Sequence, residues 1–227
     1  MQLFSDASLT VLNRAILTTK NEFVDEINSL LINRLSGTEI RYYSCDETID
    51  QHKQAELQDF LHSLHPPSLP PHELVLKSNC PLMLLRNLNP AEGLCNGTRL
   101  IALRFSKNVI HAKIVVGTFS GKEVFIPRIT LHCSDDQIYP IPFKRCQFLV
   151  RLCFAMIINK AQGQTLDFVG LYLKEPVFSH GQLYVALSRA KTSTNVKVLI
   201  WPLSTDDRCD TTRNIVYHEV LSLASND

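Results

Sequence analysis

The heptapeptide His65-Pro66-Pro67-Ser68-Leu69-Pro70-Pro71 divides the chain into two kinds of pattern. Proline lacks an N–H and fixes φ, so this run can be neither helix interior nor sheet interior. It reads as a linker or boundary. Any fold for this chain must therefore be built from what stands on either side of it.

Before the prolines, strand and helix patterns alternate. Arg14-Ala15-Ile16-Leu17-Thr18 reads as a short buried strand. Thr19 stands three residues before Glu22, the spacing of a capping box. Phe23, Ile27, Leu30 and Leu31 then recur at i, i+4, i+7 and i+8, which predicts a helix with one buried face, stopping at Gly37. A strand followed by a capped helix is the unit of a parallel sheet covered by helices. Ile40–Tyr43 reads as a further strand and Gln51–Leu64 as a helix.

After the prolines the pattern turns to β. Glu73–Lys77, Pro81–Arg86, Thr98–Phe105, Val109–Val116 and Glu123–Ile129 are short apolar runs. Asn89-Pro90, Gly93–Gly97, Asn108 and Ser120-Gly121 separate them as turns. Five such runs predict a small β-barrel. Beyond Lys144-Arg145 the α/β pattern returns, with strands at Phe148–Leu152, Val169–Leu173 and Val196–Trp201. Ser179 and Gln182 repeat the capping-box spacing, and Leu183, Ala186, Leu187 and Ala190 predict a buried helical stripe. Val216, Val220 and Leu223 predict a last helix. The expected architecture is α/β: a discontinuous domain of residues 1–64 and 146–227, with a barrel of residues 66–145 inserted into it.

Composition narrows the classes. The chain has 227 residues, 45% of them hydrophobic, and a net charge of +1, so a nucleic-acid surface would have to be a local patch. No apolar run approaches the ~18 residues of a membrane span, and the N-terminus lacks a signal-peptide pattern. Seven cysteines without Cys-x-x-Cys spacing read as reduced thiols of an intracellular protein. His62-x-x-His65 and His132-Cys133 come nearest to ligand spacing, but neither completes a set, so no metal site is expected.

A phosphate loop would decide the chemistry. The nearest match, Gly117-Thr118-Phe119-Ser120-Gly121-Lys122-Glu123, has three residues between its glycines where a Walker A loop has four. Glu123 stands where the magnesium-binding Ser/Thr belongs, and the segment joins two strands. It reads as a hairpin turn. No strand ends in a paired acidic motif for Mg²⁺ either, so the chain alone is not expected to bind and hydrolyse ATP in the P-loop manner.

Two polar knots carry the remaining signal. The first is Asn159-Lys160-Ala161-Gln162-Gly163-Gln164-Thr165, where the glycine permits close backbone approach to a ligand. The second is Gln182-Leu183-Tyr184-Val185-Ala186-Leu187-Ser188-Arg189-Ala190. Arg189 falls off the predicted stripe and can face a phosphate. A lone arginine or a lone polar turn is ordinarily just surface, paired with an acid or with water.

In combination the knots resemble motifs V and VI of superfamily-one DNA helicases. The likeness is greatest to the petite-integration-frequency (Pif-type) helicases, including those encoded by Helitron transposons. Leu17-Thr18-Thr19-Lys20-Asn21 resembles motif IV. Leu74–Lys77, Pro81–Leu88 and Gly93–Arg99 resemble that family's small β insertion, with a core at about residues 66–105. Ile126–Ile129 and Val177–Gln182 recur in matching places, and the resemblance runs from about Arg14 to Val220.

The resemblance implies a second RecA-like helicase domain, the C-terminal half of an ATP-dependent 5′→3′ DNA helicase. Arg189 would be its arginine finger. Gln162, Gly163 and Thr165 would line the nucleotide cleft. Asn159 and Lys160 would lie where that cleft joins the DNA track, with Lys77, Arg86 and Arg99 adding charge along the strand. ATP and Mg²⁺ would be held mainly by a first RecA-like domain supplied elsewhere, and the other partner would be single-stranded or forked DNA in the nucleus or mitochondrion. Two departures stand out. Ile157 replaces a family threonine whose hydroxyl can bond a DNA phosphate. The Walker A and B motifs are absent. The alternative is a truncated or transposon-derived remnant serving as a non-catalytic DNA-binding or partner-binding module.

Overall fold

The computed structural model describes residues 13–49, 52, 54–64, 69–133, 141–201 and 211–217. It is a mixed α/β fold of the RecA-like type, with parallel and antiparallel sheets. The chain divides into two compact units: residues 1–31 with 154–227, and residues 32–153.

The first unit is built on a parallel sheet of four strands in the order β11-β1-β12-β13. Strand β1 (Arg14–Thr18) lies between β11 (Ala155–Ile157) and β12 (Phe168–Leu173), and β13 (Val196–Ile200) forms the far edge. The register sets Thr18 beside both Ile157 and Tyr172. Ala15, Leu17, Val169 and Leu171 are buried, as apolar runs in a covered parallel sheet should be. Helix α1 (Asn21–Arg34) buries Phe23, Val24, Leu31 and Ile32. Its buried Asn28 clasps β11 at the backbone. Asn28 Oδ1 accepts from Ala155 N at 2.9 Å, and Asn28 Nδ2 donates to Ala155 O at 3.4 Å.

The predicted capping box at Thr19 does not form: Thr19 is buried and its hydroxyl has no hydrogen-bond partner among the described residues. The second helix signal is also corrected. Helix α3 is only Gln182–Leu187, and its buried residues are Gln182 and Ala186. Leu187 is 43% exposed and Tyr184 73%. The predicted stripe fails because a helix of less than two turns buries one i, i+4 pair rather than a heptad face. Of the predicted last helix, Val220 and Leu223 lie outside the described residues, and residues 211–217 contain no helix.

The second unit is mostly antiparallel. Its largest sheet runs β10-β5-β6-β7-β8-β9-β3. These are Val150–Leu152, Pro81–Leu84, Arg99–Phe105, Val109–Ile114, Glu123–Cys133, Phe143–Phe148 and Cys45–Thr48. Strands β9 and β10 are separated only by Leu149, so they form one bent strand. One half of it pairs with β8 and the other with β5. That closes β5, β6, β7, β8 and β9/β10 into a barrel, lined by Leu82, Leu84, Leu100, Ala102, Ile110, Ala112, Ile126, Phe148 and Val150. Closure leaves fewer strand edges exposed.

The closing strand differs from the sequence expectation. Phe148–Leu152 belongs to the barrel, not to a resumed parallel sheet. Glu73–Leu76 (β4) pairs instead with Ile40–Tyr43 (β2) in a separate antiparallel ribbon. The units consequently divide at 31/32 and 153/154, not at 65 and 145. The start of the proline run, residues 65–68, lies outside the described residues. Its described end is packed into the unit: Leu69 is buried with Leu61, Cys133 and Phe143.

Arg145 explains why the expected boundary was misplaced. It sits on β9 with its side chain fully buried, paired with fully buried Asp46 of β3 at 2.7 Å. Its Nη2 also donates to Leu61 O at 2.7 Å, and its Nη1 to Leu64 O at 3.2 Å and Pro70 O at 3.3 Å. Leu61 and Leu64 are at the C-terminal end of helix α2 (Gln54–Ser63), where unpaired carbonyls favour a cation. A residue that marked only a change of pattern in the sequence is thus an interior tie.

Candidate nucleic-acid and phosphate-facing site

The first knot begins where β11 ends. Ile158–Ala161 form a short 3-10 turn, with Ile158 and Ala161 buried and Asn159 and Lys160 exposed. Alternation of this kind anchors the turn while aiming its polar side chains outward. The chain then crosses back toward the start of β12. Gln162, Gly163 and Thr165 are all exposed. Gly163 has φ +77°, a conformation that costs an L-residue strain, and a Cβ there would meet nothing within 4 Å. The backbone at this point is open to close approach.

Asn159 and Lys160 therefore leave the C-terminal end of the parallel strands, the usual ligand-facing end of such sheets. Thr165 stands at the opposite end, just before β12. The knot is drawn out along the sheet rather than gathered in one cleft.

The second knot is tied to the first. Leu166 N donates to Arg189 O at 2.9 Å, and Lys191 N donates to Leu166 O at 3.3 Å. Lys191 pairs with Asp167 at 2.6 Å. The Lys191 hydrogen bond, with a second from Asn13, holds the Asp167 carboxyl below its usual range. The Arg189 guanidinium is half-buried and turned inward. Its Nε donates to Val185 O at 2.9 Å, Nη1 to Gln164 O at 3.3 Å and Nη2 to Ser188 Oγ at 2.9 Å. Only one of these acceptors lies in the first knot, so a phosphate arriving beside Gln164 would compete for a single carbonyl bond. Gln182 Oε1 accepts from Phe178 N at 3.1 Å and fixes the entry to α3.

The three basic residues assigned to the barrel separate. Arg86 is exposed, in the turn after β5. Lys77 is only 8% exposed, and its ammonium donates to Leu35 O at 2.9 Å and Asn33 O at 3.5 Å, at the end of α1. Arg99 is 1% exposed and lies against the buried Cys153 thiol. Lys77 and Arg99 are therefore corrected: their charges serve the interior and are not presented to a strand. Gly117–Glu123 lies in the β7–β8 hairpin, where Gly121 N donates to Ile114 O at 2.9 Å. Ile157 is half-exposed at the end of β11, beside Asn159.

A second cluster went unnoticed in the sequence. One potential ligand atom from each of Asp46, His62 and His72 lies within 4.8 Å of the others. The His62 and His72 rings stack at 3.6 Å. Burial, then the nearby His62, lowers the pKa of His72, which favours a neutral, ligating imidazole. This corrects the expectation that ion-holding groups belong mainly to a separate domain: a candidate metal triad lies within this chain. Asp46 is already engaged by Arg145 and by Ser44, whose hydroxyl donates to Asp46 Oδ1 at 2.7 Å and meets His72 Nδ1 at 2.8 Å. No sequence spacing could have revealed the set, because a strand, a helix and a loop supply one residue each.

The fold is thus a RecA-like α/β unit together with a separate β-barrel unit. Comparison with known proteins narrows this. Residues 59–105 match the family model described as the DNA helicase Pif1 2B domain. The chain is 34% identical over 141 residues to the human ATP-dependent DNA helicase PIF1, an alignment covering 60% of this chain and 21% of that one. It is 31% identical over 129 residues to ATP-dependent DNA helicase Pif1 of Bdellovibrio bacteriovorus, covering 57% of this chain and 28% of that one. Among solved structures, Pif1 helicase from Candida albicans superposes with a TM-score of 0.70 at 23% identity, over 96% of this chain and 50% of that one. Bacteroides Pif1 bound to single-stranded DNA gives 0.69 at 22% identity, over 94% and 45%. The chain thus shares the fold of these Pif1 structures and resembles Pif1 helicases over part of its length; it spans about half the length of the solved relatives it matches and about a fifth of the first curated ones.

Proposed function

We propose that this chain acts as a non-catalytic module of the Pif1 kind, binding single-stranded or forked DNA and a partner domain. The observation that carries this reading is the exposed strip Asn159, Lys160, Gln162, Gly163 and Thr165, held outward by buried Ile158 and Ala161. It stands in a fold shared with a Pif1 solved on single-stranded DNA. Arg86 adds a second exposed cation, on the barrel unit. Ile157 offers no hydroxyl, so phosphate contact falls to Asn159 and Lys160. Filter binding of single-stranded DNA over a salt series tests the reading. Affinity should fall log-linearly with salt, by about 0.7 in slope for each phosphate neutralised. Weak binding without salt dependence would overturn it.

Arg189 supports a finer version: the second RecA-like domain of an ATP-dependent 5′→3′ DNA helicase, with Arg189 as its arginine finger. Its guanidinium sits at the junction of both knots, with one bond to a first-knot carbonyl that a phosphate could replace. Joined to a competent first motor domain, the chain should support DNA-stimulated ATP turnover. Arg189→Ala should then reduce turnover by ~10³ or more. A loss of only a few fold would remove the finger assignment and leave the DNA-binding reading standing.

A further inference from the structure

Cys45 and Cys146 are direct cross-strand partners in the antiparallel pairing of β3 with β9. Residues directly opposite in such a ladder have Cα atoms about 4.5–5.5 Å apart and side chains on the same face. That separation lies inside the roughly 4.4–6.8 Å span a disulfide requires. Alternation fixes the face: Asp46 and Arg145, the neighbouring partners, point inward and are buried. Cys45 and Cys146 therefore point outward, Cys45 exposed and Cys146 half-exposed, and both are free thiols. Cys80, Cys133 and Cys153 are buried. No other described pair of cysteines shares a strand register.

We propose that Cys45 and Cys146 form a site of reversible oxidative modification, a dithiol that a low-molecular-weight disulfide of the glutathione class converts to a cross-strand disulfide. The more exposed Cys45 reacts first. Its thiol loses a proton to solvent, and the thiolate attacks one sulfur of the oxidant. The oxidant's S–S bond breaks and one small thiolate leaves, taking up a proton. The Cys146 thiolate then attacks the Cys45 sulfur of the mixed disulfide and expels the second small thiol. Two protein thiols lose two electrons and two protons; the oxidant gains them as two thiols.

The bond would fasten an edge strand. β3 is the last strand of its sheet, and α2 follows it within the same unit. Oxidation would tie β3 covalently to β9, beside the Asp46–Arg145 pair, and reduction would release it. Burial, with smaller contributions from Glu47, Cys146 and Asp46, raises the Cys45 pKa, which lowers its thiolate fraction and slows the first attack near neutral pH.

The test uses the full chain. It is incubated with glutathione disulfide, blocked with an alkylating reagent, digested without reduction and examined by mass spectrometry. The expected product is a peptide pair linked through Cys45 and Cys146, lost on treatment with dithiothreitol. Cys45→Ser or Cys146→Ser abolishes the linked pair, and Cys95→Ser leaves it intact. The oxidised chain should also show a higher urea midpoint, which reduction restores. Three results would overturn the proposal: a stable glutathione adduct on Cys45 without linkage, linkage of either residue to Cys95 or Cys209, or full alkylation of both thiols after oxidant.

Discussion

Replacing Arg145 with methionine offers a quantitative test of how the barrel unit is held together. The change keeps much of the side-chain length but removes the cation. Asp46 is left with a fully buried carboxylate whose remaining side-chain partner is Ser44. Breaking a buried pair on one side costs about 3–5 kcal/mol. Carbonyls of Leu61, Leu64 and Pro70 also lose their donor, at about 1 kcal/mol each before water re-enters. Allowing for that rehydration, the expected loss is about 4–6 kcal/mol, a large share of a typical 5–15 kcal/mol domain stability. Urea denaturation, followed by a probe of the barrel unit, should show a strongly lowered midpoint or no cooperative transition. The double variant Asp46→Asn with Arg145→Met removes the orphaned charge and should recover about 1–3 kcal/mol of the loss. A single-variant cost below about 1 kcal/mol, or a double variant no better than the single, would refute the buried tie.

Other outcomes follow from the same geometry. Lys77→Met should leave single-stranded DNA binding unchanged but lower stability by about 1–2 kcal/mol in a urea titration, since its ammonium serves the carbonyls of Asn33 and Leu35. Gly163→Ala should destabilise by about 1 kcal/mol through its positive φ, even though the added methyl meets no neighbour. Asp167 carries a pH dependence. Its folded pKa lies below the ordinary 3.8, so its pairing with Lys191 adds stability above that value and loses it as pH falls further. Acid titration of Asp167→Asn should lack this component; an unchanged low-pH profile would show that the Lys191 bond contributes nothing.

Much of the fold was legible because its signals are local. The order strand then helix for β1 and α1 was readable, although the buried face of α1 runs through Val24, Asn28 and Ile32 and leaves Leu30 exposed; the β7–β8 hairpin was readable from its glycines. What escaped was set by partners far apart in sequence. Arg145 served only to mark a change of pattern, because Asp46, its partner, is 99 residues away. Its interior role also hid the closing strand β9/β10 and moved the apparent domain boundary. Lys77 and Arg99 resembled DNA contacts for the same reason: composition reports a charge, not the carbonyl or thiol that has already taken it. The knot at 159–165 stood out in the sequence by its glycine and its motif resemblance; that buried Ile158 and Ala161 hold Asn159 and Lys160 outward was visible only in the fold. The Asp46, His62 and His72 cluster could not be read, since no element contributes more than one of its members.

The central claim is that exposed cations of this chain neutralise phosphates of single-stranded DNA. It is tested most directly by the salt slope of binding for the Arg86→Ala, Lys160→Ala double variant against the unmodified chain, with Lys77→Met as control. If each cation meets one phosphate, the slope should become shallower by about 1.4, and the control should leave it unchanged. An unaltered slope in the double variant, or an equal change in the control, would contradict the proposed surface.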